Sequence, residues 1–277
     1  MKKIIITVSM VLFAFITKVS ANHEPFLKEK KSFLLKSNVE AGSRTPKQVV
    51  KLNLSQLFLT NIALQYEYGF HKNFSAALGV SYLVPRKLPT LVYDEPSSVD
   101  GFISPKFGGF SITPEVRFYP GKKETRQAPH GFYLAPYFRY TRYKVSGDYN
   151  DVVSASVTNK YKGTATYSGN SFGLMIGSQW IIGKHFSIDW WIIGGGYGKA
   201  KLKLEAVAVD GNLNYNAVQQ ENLKNDIKNN IGDLGRYGEG NLTVESTPNS
   251  ASATVKGLSN FSLRGLVVFG LNLGFAF

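Results

Sequence analysis

"FSLRGLVVFGLNLGFAF", residues 261–277, sorts its side chains by parity. Alternate positions from Phe261 are Phe261, Leu263, Gly265, Val267, Phe269, Leu271, Leu273, Phe275 and Phe277, apolar everywhere but at the glycine. The intervening set, Ser262, Arg264, Leu266, Val268, Gly270, Asn272, Gly274 and Ala276, is mostly small or polar. Successive side chains of a strand point to opposite faces, so the stretch predicts one strand with a greasy face and a mixed face. A transmembrane helix would not sort by parity, and it needs ~20 apolar residues. A single strand of this kind would also suit a soluble sandwich, so the rest of the chain decides.

Seven further segments carry the same alternation. They are "VVKLNLSQLFL" from Val49, "NIALQYEYGF" from Asn61, "FSAALGVSYLV" from Phe74, "GFSITPEVRFY" from Gly109, "FYLAPYFRYT" from Phe132, "SFGLMIGSQWII" from Ser171 and "FSIDWWIIGGGYG" from Phe186. The first is the least regular, with Val50, Leu52, Leu54 and Phe58 set against Lys51, Asn53 and Ser55. Eight segments of about ten residues fit transmembrane strands, which need ~9–11 residues and come in even numbers in bacterial barrels. The connections alternate too. "HKN" at 71–73, "GKKETRQAPHG" at 121–131 and "GKH" at 183–185 are short, whereas 86–107, 148–168 and 205–258 are long. Outer-membrane barrels pair short periplasmic turns with longer outside loops. The first outside connection, at Thr60-Asn61, breaks that rule by being tight. A soluble sandwich would carry more Lys and Glu on its polar faces than these segments do. The predicted fold is therefore all-β: an eight-stranded antiparallel transmembrane up-and-down β-barrel over residues 48–277, with a long final outside loop at about 206–257.

Pro114 and Pro136 sit mid-strand, where a missing N–H breaks a ladder. If Phe118 faces Phe132 across the turn, Pro114 faces Pro136 and the two gaps fall between the same strands.

The quoted runs "KLNLSQLFLTNIALQYEYGFHKNFSAALGVSY", "GFSITPEVRFYPGKK", "GFYLAPYFRY" and "GSQWIIGKHFSIDWWIIGGGYG" resemble a family of Bacteroidota outer-membrane proteins. That family has a conserved domain of unknown function and is similar to small OmpA-type barrels. The resemblance spans about residues 47–205 and the final strand and leaves out the insert at 206–257. It implies outer-membrane residence and brings no established activity.

The start of the chain, "MKKIIITVSMVLFAFITKVSA", has two lysines, an apolar run and a small-residue cleavage site after Ala21. It reads as a signal peptide at 1–21, followed by a basic periplasmic extension at 22–47. Cysteine is absent, which excludes disulfides and thiolate metal sites. Aromatic residues make up 13% of the chain, as interfacial girdles require. Phe277, aromatic and on the greasy parity, is the expected insertion signal for the barrel-assembly machinery.

Charge is unevenly placed. Removing Lys2, Lys3 and Lys18 with the leader takes the formal charge from +13 to +10. Residues 22–51 hold seven cations against Glu24, Glu29 and Glu40; the turn at 121–131 adds a net two, and Lys72 and Lys184 one each. Most of the charge thus falls at the short-turn end, where anionic inner-leaflet lipid or cell-wall polymer is the expected counter-surface. Outer-membrane lipid is the other expected partner. Nucleic acid is excluded by compartment, and a monomer is expected.

Glu67, Glu115, Arg117, Arg139, Asp189 and Arg264 all fall on the inward parity. Inward charges in a narrow barrel must pair, so these six predict a salt-bridge network plugging the lumen. For Arg264 the expected partner is Asp189 or Glu67. "GNSFG" at 169–173 matches G-x-S-x-G around Ser171 but opens a strand, where a nucleophile elbow needs a strand-turn-helix. The histidines, His23, His71, His130 and His185, fall on the tail or the short turns, away from any outer-leaflet chemistry. "GGGYG" at 194–198 precedes no helix and is no phosphate loop. No catalytic residue, metal site or cofactor is expected. In the insert, "AVQQENLKNDIKN" predicts a short helix with Leu223 and Ile227 on one face. Two functions fit: a structural or surface-interaction barrel whose loops contact external ligands, or a narrow channel or transporter for small solutes.

Overall fold

In the computed structural model the described residues are 46–87, 101–120, 128–154, 157–209, 242–247, 249–265 and 270–277, with a few helical positions between 217 and 225. The leader and nearly all of the basic extension, with Leu223 and Ile227, lie outside them. The chain forms β1 (Gln48–Asn53), α1 (Leu54–Leu57), β2 (Asn61–His71), β3 (Phe74–Lys87), β4 (Gly101–Phe118), β5 (Gly131–Ser154), β6 (Val157–Ile182), β7 (Phe186–Ala208), β8 (Leu242–Thr247), β9 (Ser250–Gly265) and β10 (Leu271–Ala276). All strands join one antiparallel sheet, and β1 to β7 pair in chain order. β10 pairs with both β7 and β1, so eight strands close into a ring. β9 runs beside β7 beyond β10, and β8 lies along the outer side of β9. The backbone of Phe277 completes the seam, exchanging hydrogen bonds with Gln48 at 2.9 and 3.1 Å.

Parity survives folding, and it separates two chemistries. Inward on β2 stand Ala63, Gln65 and Glu67, all buried; outward stand Leu64, Tyr66 and Tyr68, all exposed. The same holds on β4, where Ser111, Thr113, Glu115 and Arg117 are buried between exposed Ile112, Val116 and Phe118. Outward aromatic residues reach 71% exposure at Phe172 and 75% at Phe261. At the level of β2 and β4 the ring therefore has a polar, charged inside and an apolar outside, the reverse of an ordinary folded domain; on the long halves of β5, β6, β7 and β9 the buried set is apolar instead, with Val145, Tyr161, Ala165, Leu202, Leu204 and Val255.

Four expectations are corrected. The tail is not one strand: Gly265 takes φ +83 and ends β9, and β10 starts at Leu271. Across that break the partner on β7 moves only from Ile193 to Trp190. A side chain at Gly265 would meet the Trp191 carbonyl oxygen at 2.5 Å, so the turn needs glycine for space as well as for φ. The first segment is shorter than its alternation suggests. β1 stops at Asn53, whose side chain accepts from the Gln56 N–H at 2.8 Å and caps α1. Third, Phe118 opposes Leu134, not Phe132, which sets Pro114 two positions away from Pro136. An offset of two leaves every side chain on its face. Finally, 148–168 is mostly strand: β5 and β6 pair from Gly131↔Gln179 out to Ser154↔Val157. The ring is consequently uneven. β2 has 11 residues, whereas β5 has 24 and β6 has 26.

Glycines on β6 make room for tyrosines on β5. Tyr133 lies opposite Gly177 and Tyr137 opposite Gly173, and a Cβ at either glycine would strike the facing phenol. Both tyrosines are buried inside the ring with Tyr119, Ala135, Met175 and Trp191. Gly177→Val should therefore cost about 1–3 kcal/mol of stability through overpacking, read as a lower midpoint in equilibrium unfolding. The outward Ile176→Val should move it far less.

Candidate functional site

The interior charges converge from all around the ring. Lys51, from β1, directs its Nζ to the Glu67 carboxylate, to Asp189 Oδ2 at 2.7 Å and to Gln179 Oε1 at 2.7 Å. Arg117, from β4, reaches the same three groups through NH1: Asp189 Oδ2 at 2.8 Å, Gln179 Oε1 at 2.9 Å and Glu67 Oε2 at 3.1 Å. Its Nε donates to Glu115 Oε1 at 2.7 Å and its NH2 to Gln65 Oε1 at 2.8 Å. The guanidinium also lies 4.3 Å from the Tyr133 ring centre.

Neutral groups saturate the remaining carboxylate lone pairs. Tyr119 and Ser75 donate to Glu67 Oε1 at 2.6 and 2.5 Å, and Tyr133 donates to Asp189 Oδ1 at 2.8 Å. Gln65 Nε2 donates to Glu115 Oε1 at 2.8 Å. Lys51, Arg117, Glu67, Glu115 and Asp189 have side chains fully removed from solvent. Charges so buried are tolerable only when every partner is present; removing one partner strands the other.

The structure brings together five of the six residues expected there. Arg264 joins the network, but through Glu115 Oε2 at 2.6 Å, not through Asp189 or Glu67. Arginine is long enough to reach across the interior from β9 to β4, past the carboxylate on the neighbouring β7. Its guanidinium also stacks 4.2 Å over Trp191. Arg139 stands apart, half-buried, with Nε donating to Thr141 Oγ1 at 3.3 Å. Lys51 was counted with the basic tail and is instead the centre of the network. Its signal was present in the sequence, since Val49, Lys51 and Asn53 share the inward parity of a strand. Gly274 opposite gives its stem room: a Cβ there would lie 2.9 Å from Lys51 Cγ.

The other candidates resolve locally. Ser171 is buried within β6 and donates to Ser262 Oγ at 2.9 Å, with no strand-turn-helix around it. His71 and His185 stand at the short-turn end, and His130 Nδ1 accepts there from the Ile181 N–H at 3.1 Å. Among the described residues no group of three or more His, Asp or Glu could hold a metal ion, and no helix is long and apolar enough to cross a membrane. Phe277 faces outward, half exposed, at the β10–β1 seam.

Residues 31–204, more than half of the chain, match the model of the family described as a protein of unknown function, DUF3575, and the chain belongs to that family. No curated protein and no solved structure matches it. The match ends inside β7, so Arg264 and the seam strand β10 lie beyond it.

Lys51→Met should destabilise the fold by about 3–5 kcal/mol, because Glu67 and Asp189 lose a shared cation in a dry interior. Adding Glu67→Gln should return part of that loss in equilibrium unfolding. A double-mutant cycle should find about 0.5–3 kcal/mol of coupling between Arg264 and Glu115, and less between Arg264 and Glu67.

Proposed function

We propose that the chain is an outer-membrane β-barrel of structural or surface-interaction type, its lumen plugged by ion pairs and its long-strand end presented outside the cell. One observation carries the reading: at the level of β1, β2, β3, β4 and β10, exposed apolar side chains follow the outward parity while the inward parity is small, polar or charged. Water on the outside would leave that apolar surface uncovered, whereas hydrocarbon would cover it and demand the closed backbone pairing of a ring. Tyr66, Tyr68, Tyr82 and Trp180, all exposed, supply the amphipathic aromatics of an interfacial girdle.

The packed interior supports this reading over a narrow channel. Arg117, Tyr133, Lys51, Gln179, Glu67 and Asp189 are all fully buried inside the ring. A conducting pore would keep such groups wet. The long strands β5 and β6 and the β8–β9 hairpin would then be the parts that meet external ligands, as loops and extensions on rigid scaffolds commonly do. Beneath the membrane, the basic extension would lie against anionic lipid or cell wall.

The mature protein should fractionate with the outer membrane and shift on gels with heating; recovery as a soluble periplasmic protein would overturn the proposal. Leu64, outward and 51% exposed, provides a sharper test. In a bilayer, Leu64→Arg should cost about 2–4 kcal/mol on refolding into vesicles. On a water-exposed surface the same change would stay within about 0.5 kcal/mol. Planar bilayers holding the protein should show no stepwise conductance.

A further inference from the structure

A row of aromatic side chains crosses the outer face of β5, β6, β7 and β9. Phe138, Phe172, Tyr197 and Phe261 lie directly opposite one another in register. The rings of Phe138 and Phe172 have centres 4.9 Å apart, and those of Tyr197 and Phe261 5.1 Å. Towards the short turns the same face continues as Leu174, Ile193 and Leu263, all exposed.

In the other direction the chemistry changes at once. The outward positions of β5 become Arg142 and Lys144, and those of β7 become Lys199, Lys201 and Lys203. Between them β6 presents Ser168 and Thr166. Arg142, Ser168 and Lys201 stand in one line across the three strands, and Lys144, Thr166 and Lys203 stand in the next. Neighbouring strands lie ~4.8 Å apart and alternate residues ~7 Å, so each hydroxyl has a cation on either side.

Negative charge is scarce on this face. The outward carboxylates among the described side chains of these three strands are Asp148 and Glu205. Glu205 pairs with Lys203, and Asp148 lies opposite Lys162 at the far end. Arg142, Lys144, Lys199 and Lys201 form no ion pair among the described residues. On the adjoining strands Lys87 sits directly opposite Lys106. Like charges so placed destabilise a sheet by themselves. A face made only for solubility intersperses both signs, whereas this one collects a single sign beside a greasy belt.

We infer that this strip binds the phosphate group of an outer-leaflet lipid. Arg142, Lys144 and Lys201 hold the phosphate oxygens, Ser168 and Thr166 donate between them, and the acyl chains lie along the aromatic row and Leu174. A phosphate matches the guanidinium fork and the ammonium groups, and basic residues at a membrane surface attract anionic headgroups. Free phosphate would use only the basic half of the strip, and a neutral lipid only the apolar half. The inference deepens the membrane reading above and rests on it.

The test uses the full-length protein refolded in a neutral detergent. It is titrated with a bisphosphorylated glycolipid (lipid A), with the same lipid stripped of its phosphates, and with inorganic phosphate, and the bound species are counted by native mass spectrometry. The phosphorylated lipid should bind about tenfold or more tightly than either alternative, and the double variant Arg142→Gln/Lys201→Gln should lose about tenfold of that affinity. Lys72→Gln/Lys184→Gln, which removes the same charge from the short turns, should keep it. Equal binding of the phosphorylated and stripped lipids by the unaltered protein would overturn the inference, whether or not the variants fold. So would equal losses in the two double variants, or inorganic phosphate binding as tightly as the lipid. Failure of the membrane reading would show separately, as a chain that stays soluble without detergent.

Discussion

Two cations and two carboxylates in a dry space set the terms for this molecule. Lys51 and Arg117 share Glu67 and Asp189, with Gln179 accepting from both. The groups that hold this cluster come from every position around the ring: β1, β2, β3 through Ser75, β4, β5 through Tyr133, β6, β7, and the last position through Arg264 of β9. Shifting any one strand by a residue would flip its inward set outward and leave an opposite charge unpaired. Apolar contacts alone would not discriminate so sharply, since the outward faces are interchangeable greasy surfaces. The charged interior therefore specifies register and closure, at the risk that a single lost partner is expensive.

Much of this was legible in the sequence, for a simple reason. A strand between two media that differ must alternate, and β2, β3, β4 and the lower halves of β5 and β6 alternate cleanly. Glu67, Glu115, Arg117, Asp189 and Arg264 were found because charges inside a narrow ring have nowhere else to go. What failed was whatever alternation does not encode. The outer halves of β5 and β6, from Thr141 to Gly169, do alternate, with Tyr143, Tyr149, Tyr161 and Tyr167 on one parity and Lys144, Lys160, Lys162 and Thr164 on the other, but neither set is a greasy run of the kind that marks the lower strands. Lys51 was misassigned because β1 is six residues long and gives way to a capped helix before its period can establish itself. The partner of Arg264 depends on which strands face one another across the interior, and a linear chain does not display that. The proline register failed by two, the smallest slip that parity cannot detect.

The glycines and tyrosines answer a different constraint. A closed ring of fixed strand number has a fixed bore, and bulky inward groups must alternate with small ones to fit it. Gly173 and Gly177 are the small members, Tyr137 and Tyr133 the large ones, placed directly across the β5–β6 ladder. The phenol of Tyr133 then holds Asp189 while its ring lies beside Arg117. Packing and charge pairing are thus one arrangement, and the glycines are part of the electrostatics even though they carry no polar side chain.

The unequal strand lengths have a directional consequence. β1 and β2 meet at the low corner of α1, where Phe58 is 89% exposed, whereas β5 and β6 stand more than twice as long as β2. At ~3.3 Å per residue, that difference amounts to roughly 43–50 Å of additional wall before tilt. The described strands thus form a windbreak on one side and a low sill on the other. Among the described strands the rim is therefore lopsided, lowest beside Leu57, Phe58 and Leu59 and highest along β5 and β6.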